Sequence, residues 1–368
     1  MKRVLVQAQK EWAEFRRDRL SLSLAFLLPL VTLLLFGFGV RMQSHDIPVV
    51  IRDNNHSQLS LALMDRLSAT NLLHPIQWPA DKDVAEAVDK GEAKAAIIIP
   101  KDFEQKILSG QEAVVETMVD GTDIVNSRMI EATIQGAGMY LMQSVGLDKP
   151  LVKVKPNLRV WFNPGMKESL FIVPGVCGIV LWMFPSLLAC VATAREKEQG
   201  TLVQVFMSSM SAHEMILGKS LVYLLIGLAQ AAVVVVLACV LFNLKFVGSP
   251  LIFMATLPVF VLNSVLFGLA VGSWANSQTT AVQGVSSLGF FTCFLLSGFV
   301  YPLANIPYPL NLLSYLVPSR YFIEVSRDAF ERGLGGVNIL LDFVALVLFS
   351  MLFFFIAWSA WRRMQFKV

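Results

Sequence analysis

The sequence predicts an α-helical polytopic membrane protein with six transmembrane helices and a mixed α/β domain inserted between the first two. Three observations carry this. Hydrophobic residues make up 55% of the 368 and charged residues only 15%, against about 25% charged in ordinary globular chains; the mean hydropathy is +0.61. Six stretches reach the roughly 20 mostly apolar residues that cross a bilayer as a helix. Residues 41–168, between the first two stretches, alternate strand-like and helix-like patterns over a length no loop requires.

The predicted spans are 20–40, 170–193, 220–244, 251–274, 280–300 and 339–361. The first follows a charged lead and resembles a secretory signal, but its apolar run is too long and no small-residue cleavage site follows, so it reads as an anchor. Lys and Arg set the orientation. Lys2, Arg3, Lys10, Arg16, Arg17 and Arg19 precede span one. Arg195, Lys197 and Lys219 lie between spans two and three, and Arg362, Arg363 and Lys367 follow span six. Lys245 stands alone between spans three and four. Both termini are therefore expected in the cytoplasm and 41–168 outside it. Trp161, Trp274, Trp358 and Trp361 fall near span ends, as interfacial aromatics do.

Within 41–168 the pattern predicts strands at 47–51, 95–99 (ended by Pro100), 114–119 and 152–161. Helices are predicted at 58–67, 83–91, 103–108 and 124–145. Such alternation implies a mixed sheet with helices packed on it, large enough for a small core of its own. The segment holds no cysteine. Cys177, Cys190, Cys239 and Cys293 all fall in predicted spans, which excludes a disulfide framework and leaves packing roles at a spacing no metal site uses.

Missing chemistry narrows the function. There is no phosphate-binding Gly-x-x-x-x-Gly-Lys-Ser/Thr loop, no His-x-x-x-His pair, no Gly-x-Ser-x-Gly elbow and no Cys-x-x-Cys. His45, His56, His74 and His213 are scattered and read as surface residues. No enzyme site, bound metal or cofactor is expected, and a net charge of +3 argues for no nucleic-acid partner. The spans carry no Asp or Glu in their interiors, Asp342 lying at the outer start of span six, whereas ion-coupled carriers place ionisable groups near the midplane. Gln230, Asn263, Ser264, Gln283, Ser286 and Ser287 read either as interhelical hydrogen-bond partners or, for 283–287, as substrate contacts.

The charged run Arg195-Glu196-Lys197-Glu198 closes span two. Buried charge is costly in lipid, so the run is expected at the membrane surface, at an exposed corner. The apolar stretch 201–207 follows as a short surface helix, Ser208-Ser209-Met210 breaks it, and Ser211 with Glu214 forms a capping box that starts the helix of span three. A solvated positive-inside loop explains Arg195 and Lys197. A protein-docking surface explains Glu196, Glu198 and the apolar stretch as well. Late in the chain, Tyr301, Pro302, Pro307, Pro309 and Pro318 punctuate a segment too broken to span, while Leu303, Ile306, Leu310, Leu312, Leu313 and Leu316 are too apolar for a solvated loop. Irregular backbone at membrane depth needs shielding by protein or a cavity. The hairpin 302–318 is thus predicted as two short helical segments between spans five and six, closing the outer end of a path, with Arg320 marking the return to the interface.

These motifs resemble the membrane subunits of type-2 ATP-binding cassette exporters, in the bacterial drug- and lipid-exporting branch with a large periplasmic domain. Arg195 through Thr201, then Glu214 and Gly218-Lys219, resemble that family's coupling-helix signature, taken as 194–210. Leu296-Ser297-Gly298-Phe299-Val300-Tyr301-Pro302, Ile306-Pro307 and Leu313 through Phe322 resemble its outer re-entrant hairpin. Val203 and Ser209 depart from the Glu and Pro that many relatives carry. The resemblance implies a separate ATP-binding subunit that holds the ATP and magnesium. It also implies a second permease, identical or related, and a multi-pass location in a bacterial inner membrane. Arg195, Glu196, Lys197, Glu198, Gly200, Thr201 and Glu214 would form the coupling region, Gly200 turning the backbone and Arg195, Glu196 and Glu198 pairing with ATPase charges. Residues 1–19 would be an amphipathic helix along the membrane, with Trp12 and Phe15 facing lipid or the ATPase and Arg16, Arg17 and Arg19 meeting headgroups. Gln283, Ser286, Ser287, Gly298, Pro302, Pro307, Leu310, Leu313, Pro318 and Arg320 would line the translocation path and outer gate for a hydrophobic or amphiphilic cargo. The outer domain would either help two permeases dimerise or hand cargo to a periplasmic adaptor. Two alternatives remain: a membrane receptor with an outer sensor domain, for which the tail after span six leaves no output domain, and an ion-coupled carrier.

Overall fold

The computed structural model describes residues 2–39, 46–70, 72–79, 81–120, 124–144, 168–201, 210–300, 303, 306–333 and 335–365. The chain divides into two compact units, Met1–Val40 with Val160–Val368, and Arg41–Arg159.

Helix α1 (Lys2–Arg17) buries one face, made by Gln7, Ala8, Glu11 and Phe15, and ends on Arg16 and Arg17, where positive charge suits the negative end of a helix dipole. Asp18 breaks it. The Asp18 carboxylate accepts from the amide of Leu20 at 3.1 Å, capping α2 (Arg19–Gly39), the first of six helices long and apolar enough to cross a membrane.

The second unit is a four-stranded sheet of order β2-β1-β3-β4. It comprises β1 (Ile47–Asp53), α3 (Gln58–Ser68), β2 (Leu73–Ile76), α4 (Val84–Asp89), β3 (Ala95–Ile99), α5 (Phe103–Leu108), β4 (Glu116–Val119) and α6 (Ile124–Ser144). Strands β2, β1 and β3 are parallel and β4 is antiparallel to β3. Alternation along the strands sorts the core: Ile47, Val49, Ile97 and Ile99 pack under α3, α5 and α6, while Val50 and Ala96 meet Val84 and Ala87 of α4 on the other face. Strand β2 escapes the sequence pattern because it is short and contains Pro75. At a sheet edge the missing N–H is tolerated, and Pro75 sits opposite Val49. The predicted strand at 152–161 lies outside the described residues.

The first unit resumes with α7 (Glu168–Glu198), α8 (Ala212–Phe242), α9 (Pro250–Trp274) and α10 (Gln278–Leu296). Helix α7 is the hub: 89% of its most apolar window is buried, against 11% for the last helix. Helix α9 lies directly on it. A Cβ placed on Gly268 would come 2.1 Å from the carbonyl oxygen of Ser186, and one on Gly272 would come 2.7 Å from that of Cys190. The pair makes a small-x-x-x-small seam of the kind that lets membrane helices touch backbone to backbone. Above it Trp182 stacks on Phe267 and Phe260 at 5.2 and 6.0 Å, Ser264 donates to Trp182 O at 2.5 Å, and Asn263 donates to Leu346 O at 2.9 Å.

Helix α10 stops at Leu296, short of the predicted 300, and Gly298 turns the chain at φ +83°. Helix α11 (Leu310–Ser314) and helix α12 (Pro318–Arg327), the latter continued by a π-turn at Asp328–Arg332, lead to α13 (Val337–Gln365). The hairpin is therefore longer than the predicted 302–318. Proline is favoured in the first helical turn because its missing N–H has no partner there, so Pro318 starts a helix at the point where the predicted hairpin ends. Its far end is fastened to the α8–α9 turn, with Val247 and Gly248 amides donating to Ala329 O at 2.9 and 3.0 Å.

Candidate functional site

The charged run at the end of α7 is the centre of a network that joins α7 to α1, α2, α8, α9 and α10. Glu196 is only 4% exposed. Its carboxylate pairs with Lys10 of α1 and, at 2.7 Å, with Lys219 of α8. Lys219 is fully buried and also pairs with Glu11, whose carboxylate further accepts from Tyr223 at 2.9 Å and Gln7 at 2.7 Å. Two ammonium groups thus face two carboxylates, with a phenol and an amide completing the shell. Taking a charge out of water costs several kcal/mol, about as much as a good partner returns, so the set is tolerable only as a set. Burial pushes the Glu11 carboxyl above its ordinary value; Lys219 pulls against that, and Glu196 across the cluster adds to it.

The other charges of the run each bind a different helix end. Arg195 pairs with Asp18, the cap of α2, and approaches Gln278 at 3.4 Å. Lys197 donates to the carbonyls of Ser273 and Ala275 at 3.0 and 2.8 Å, placing a cation on the free carbonyls at the end of α9. Glu198 accepts from the Gln278 backbone and side-chain amides at 3.2 and 3.0 Å, placing an anion at the start of α10. Both match the helix dipoles. Gly200 then turns the chain at φ +71°, a left-handed conformation that suits glycine, and the Thr201 hydroxyl donates to Glu196 O at 3.1 Å. Ser211 and Glu214 form the expected capping box of α8, and Arg3 lies 3.9 Å from Glu214.

The exposed-corner expectation needs correcting. Glu198 is exposed, but Glu196 is buried inside the molecule, because two lysines from other helices neutralise it there. Phe15 is 6% exposed and packs in the main core instead of facing lipid or a partner, since it shares the Glu11 face of α1. Lys219 is likewise a buried counter-ion and not a solvated positive-inside charge. Trp12, Arg16, Arg17 and Arg19 are exposed. Residues 202–209 of the coupling segment, and Pro302, lie outside the described residues.

Sequence reading missed Lys10, Glu11, Asp18, Tyr223 and Gln278. A signal existed for one of them: Gln7, Ala8, Glu11 and Phe15 recur on one helical face, so a carboxylate there needed a buried cation. The carboxylates of Glu11, Glu14 and Glu196 come within 4.8 Å of one another, but the ammonium groups of Lys10 and Lys219 stand where a metal cation would. Beside them opens a polar recess of about 420 Å³ lined by Glu14, Arg17, Asp18, Arg195, Glu196, Gln199 and Thr201.

Toward the other end of α10, Gln283 and Ser287 are exposed and Ser286 half-buried. They flank or occupy a π-turn at Val285–Phe290, a feature frequent at functional sites. Phe291, Thr292, Leu295, Leu296, Ile306, Pro307 and Leu310 line an apolar cavity of about 410 Å³ between α10 and the hairpin. Leu310 and Leu313 are 45% and 48% exposed, and Arg320 lies 3.8 Å over the Tyr315 ring.

The profile of the ABC-2 family transporter proteins matches residues 19–359. The chain belongs to the ABC-2 transporter family. Among its ABC-2 relatives, the probable multidrug ABC transporter permease YbhS of Escherichia coli (strain K12) is 23% identical over 368 residues, covering 98% of this chain and 97% of the relative. The probable multidrug ABC transporter permease YbhR of the same strain is 25% identical over 330 residues, with 88% of each chain covered. The inner membrane transport permease YhhJ, also of that strain, is 25% identical over 356 residues, covering 91% and 92%. This ABC-2 chain is thus a multi-pass membrane protein of the permease type.

Loss of one clamp should loosen the α9–α10 turn of this permease without unfolding it. For Lys197→Ala, hydrogen exchange of the Ala275–Gln278 amides is expected to rise several-fold, with α1 protection unchanged. Equal exchange in both proteins would show that the lysine does not hold the turn.

Proposed function

We propose that the chain is the permease subunit of an ATP-driven exporter that moves hydrophobic or amphiphilic, drug-like or lipid-like molecules out across a bacterial inner membrane. The observation that carries this is the charge network, which ties α1, the start of α2, the end of α7, the start of α8 and the α9–α10 turn into one block. A push on that block from one side would reach five membrane helices together. An ATP-binding subunit, holding the ATP and magnesium, docks on the cytoplasmic side against 194–210 and the polar recess beside Arg195 and Thr201, with Glu198, Gly200 and Glu214 in the same region. Trp12 of α1 enters the headgroup layer and Arg16, Arg17 and Arg19 meet lipid phosphates. A second permease, the same chain or a related one, completes the path along Gln283, Ser286, Ser287 and the apolar face of α10. Gly298, Pro302, Pro307, Leu310, Leu313, Pro318 and Arg320 form the outer gate. The sheet unit lies outside the cytoplasm, where it supports dimerisation or meets a periplasmic adaptor. The relatives named as multidrug permeases support the cargo class.

Reconstitution tests this. A tagged chain should co-purify with an ATPase subunit, and the complex in proteoliposomes should move a fluorescent amphiphile only with ATP. Movement driven by an ion gradient without ATP would replace the reading with that of an ion-coupled carrier.

The orientation is tested by cysteine labelling on a background lacking the native thiols. Glu116→Cys should react with an impermeant maleimide only from outside and Gln199→Cys only from inside. Labelling of both from one face would overturn the six-span topology. The gate is tested by Leu310→Asp with Leu313→Asp. Export is expected to fall at least several-fold while ATPase co-purification persists, and unchanged export by a correctly inserted variant would make the hairpin a passive loop.

A further inference from the structure

The sheet unit contains a half-open apolar pocket that the transport reading does not use. Its volume is about 340 Å³, and it lies under the sheet among Leu67, Ile97, Phe103, Ile107 and Leu141, with Gln111 and Glu112 at its mouth. The pocket opens to the surface and its walls are mostly apolar, so it is a poor place for ordered water, which needs several polar partners. The volume falls in the roughly 300–1,000 Å³ range of small-molecule sites, which are mostly apolar with a few polar groups at one end.

Two details say what fits. Helix α6 passes the cavity at Gly138, where an added Cβ would meet nothing within 4 Å, so the space extends to the helix backbone. At the mouth Glu112 is exposed and forms no ion pair among the described residues. Lys106, whose carbonyl accepts from the Gln111 amide at 2.9 Å, is engaged with Asp102 at 2.7 Å. A mostly apolar pocket lined at one place by an exposed carboxylate complements a hydrophobic cation, whose rings or chain enter while its charge stays at the mouth.

We propose that the sheet unit binds hydrophobic organic cations in this cavity, with Glu112 as the charge-selecting group. That such cations are also cargo rests on the permease reading; the binding itself does not. The test uses the full chain in phosphatidylcholine nanodiscs with Cys177, Cys190, Cys239 and Cys293 replaced by serine or alanine and Gln111→Cys added. Alkylation of that single thiol by an impermeant maleimide is timed with tetraphenylphosphonium, or with tetraphenylborate, which has the same shape and the opposite charge. Tetraphenylphosphonium is expected to slow alkylation at least threefold and saturably, and tetraphenylborate far less. Gly138→Leu should abolish the protection while leaving the probe-free rate unchanged, and Glu112→Gln should remove the preference for the cation. Absence of saturable protection, or equal protection in Gly138→Leu, would overturn the proposal by reducing the effect to membrane partitioning. Neither ATP nor an ATPase enters the assay, so failure here leaves the permease reading standing, and failure of ATP-driven transport leaves this site standing.

Discussion

Lys219→Met is expected to lower the stability of the solubilised chain by about 3–5 kcal/mol, the usual penalty for removing one partner from a buried ion pair. Lys219 is fully buried and holds two carboxylates, Glu11 and Glu196. Methionine fills much of the same space, so lost charge and not lost volume dominates. Without the ammonium, Glu11 loses the interaction that opposes the upward push of burial. A carboxyl whose folded pKa is raised keeps a proton that the unfolded chain releases. Folding then loses stability as pH rises from the ordinary carboxylate value, about 4.3, through the raised one. The thermal midpoint of the variant should therefore fall further below wild type at pH 8 than at pH 5. A small, pH-independent shift would mean that the cluster is solvated. Glu196→Lys is expected to resemble Lys219→Met in severity, because it brings three ammonium groups together beside one carboxylate. A folding defect, and not simple uncoupling, is the outcome at that position; Glu198→Lys, on the exposed side, is the substitution that reports on coupling.

Gly268→Val should be strongly damaging to the contact between α7 and α9. Its Cβ would lie 2.1 Å from the Ser186 carbonyl oxygen, and backbone cannot swing aside as a flexible side chain does. Overpacking a core costs typically 1–3 kcal/mol and occasionally more, and here the α7–α9 seam would have to separate. That would weaken the Ser264 bond to Trp182 O and the aromatic stack above it. Reduced yield of folded protein on size exclusion, with a lowered thermal midpoint, is expected; Gly136→Ala in α6, where nothing lies within 4 Å, should be neutral. Equal behaviour of the two would refute the backbone-contact account of the seam.

Much of the fold was legible because it rests on local pattern. The apolar runs are long, and the short apolar runs at 47–51 and 95–99, the second ended by Pro100, are visible from neighbours along the chain. Ser211 and Glu214 cap α8 from three residues apart. Strand β2 was not legible, since four residues with a proline carry no period, and it is a strand only because β1 offers it an edge. The Gly268-x-x-x-Gly272 spacing was present to be read and marks a close backbone contact between two spans.

The charged run at 195–198 is plain in the sequence, but its surroundings are not. By itself the sequence determined the class of protein, the spans and the place where charge must gather, because burial of apolar length and exclusion of charge from lipid act on composition. Only the tertiary structure decided that Glu196 is enclosed, that Lys10 and Lys219 neutralise it, and that Lys197 and Glu198 hold opposite helix ends. Those partners lie dozens to hundreds of residues apart. Whether a charge is solvated or buried depends on which distant counter-ion the fold brings to it, and no local pattern contains that distance.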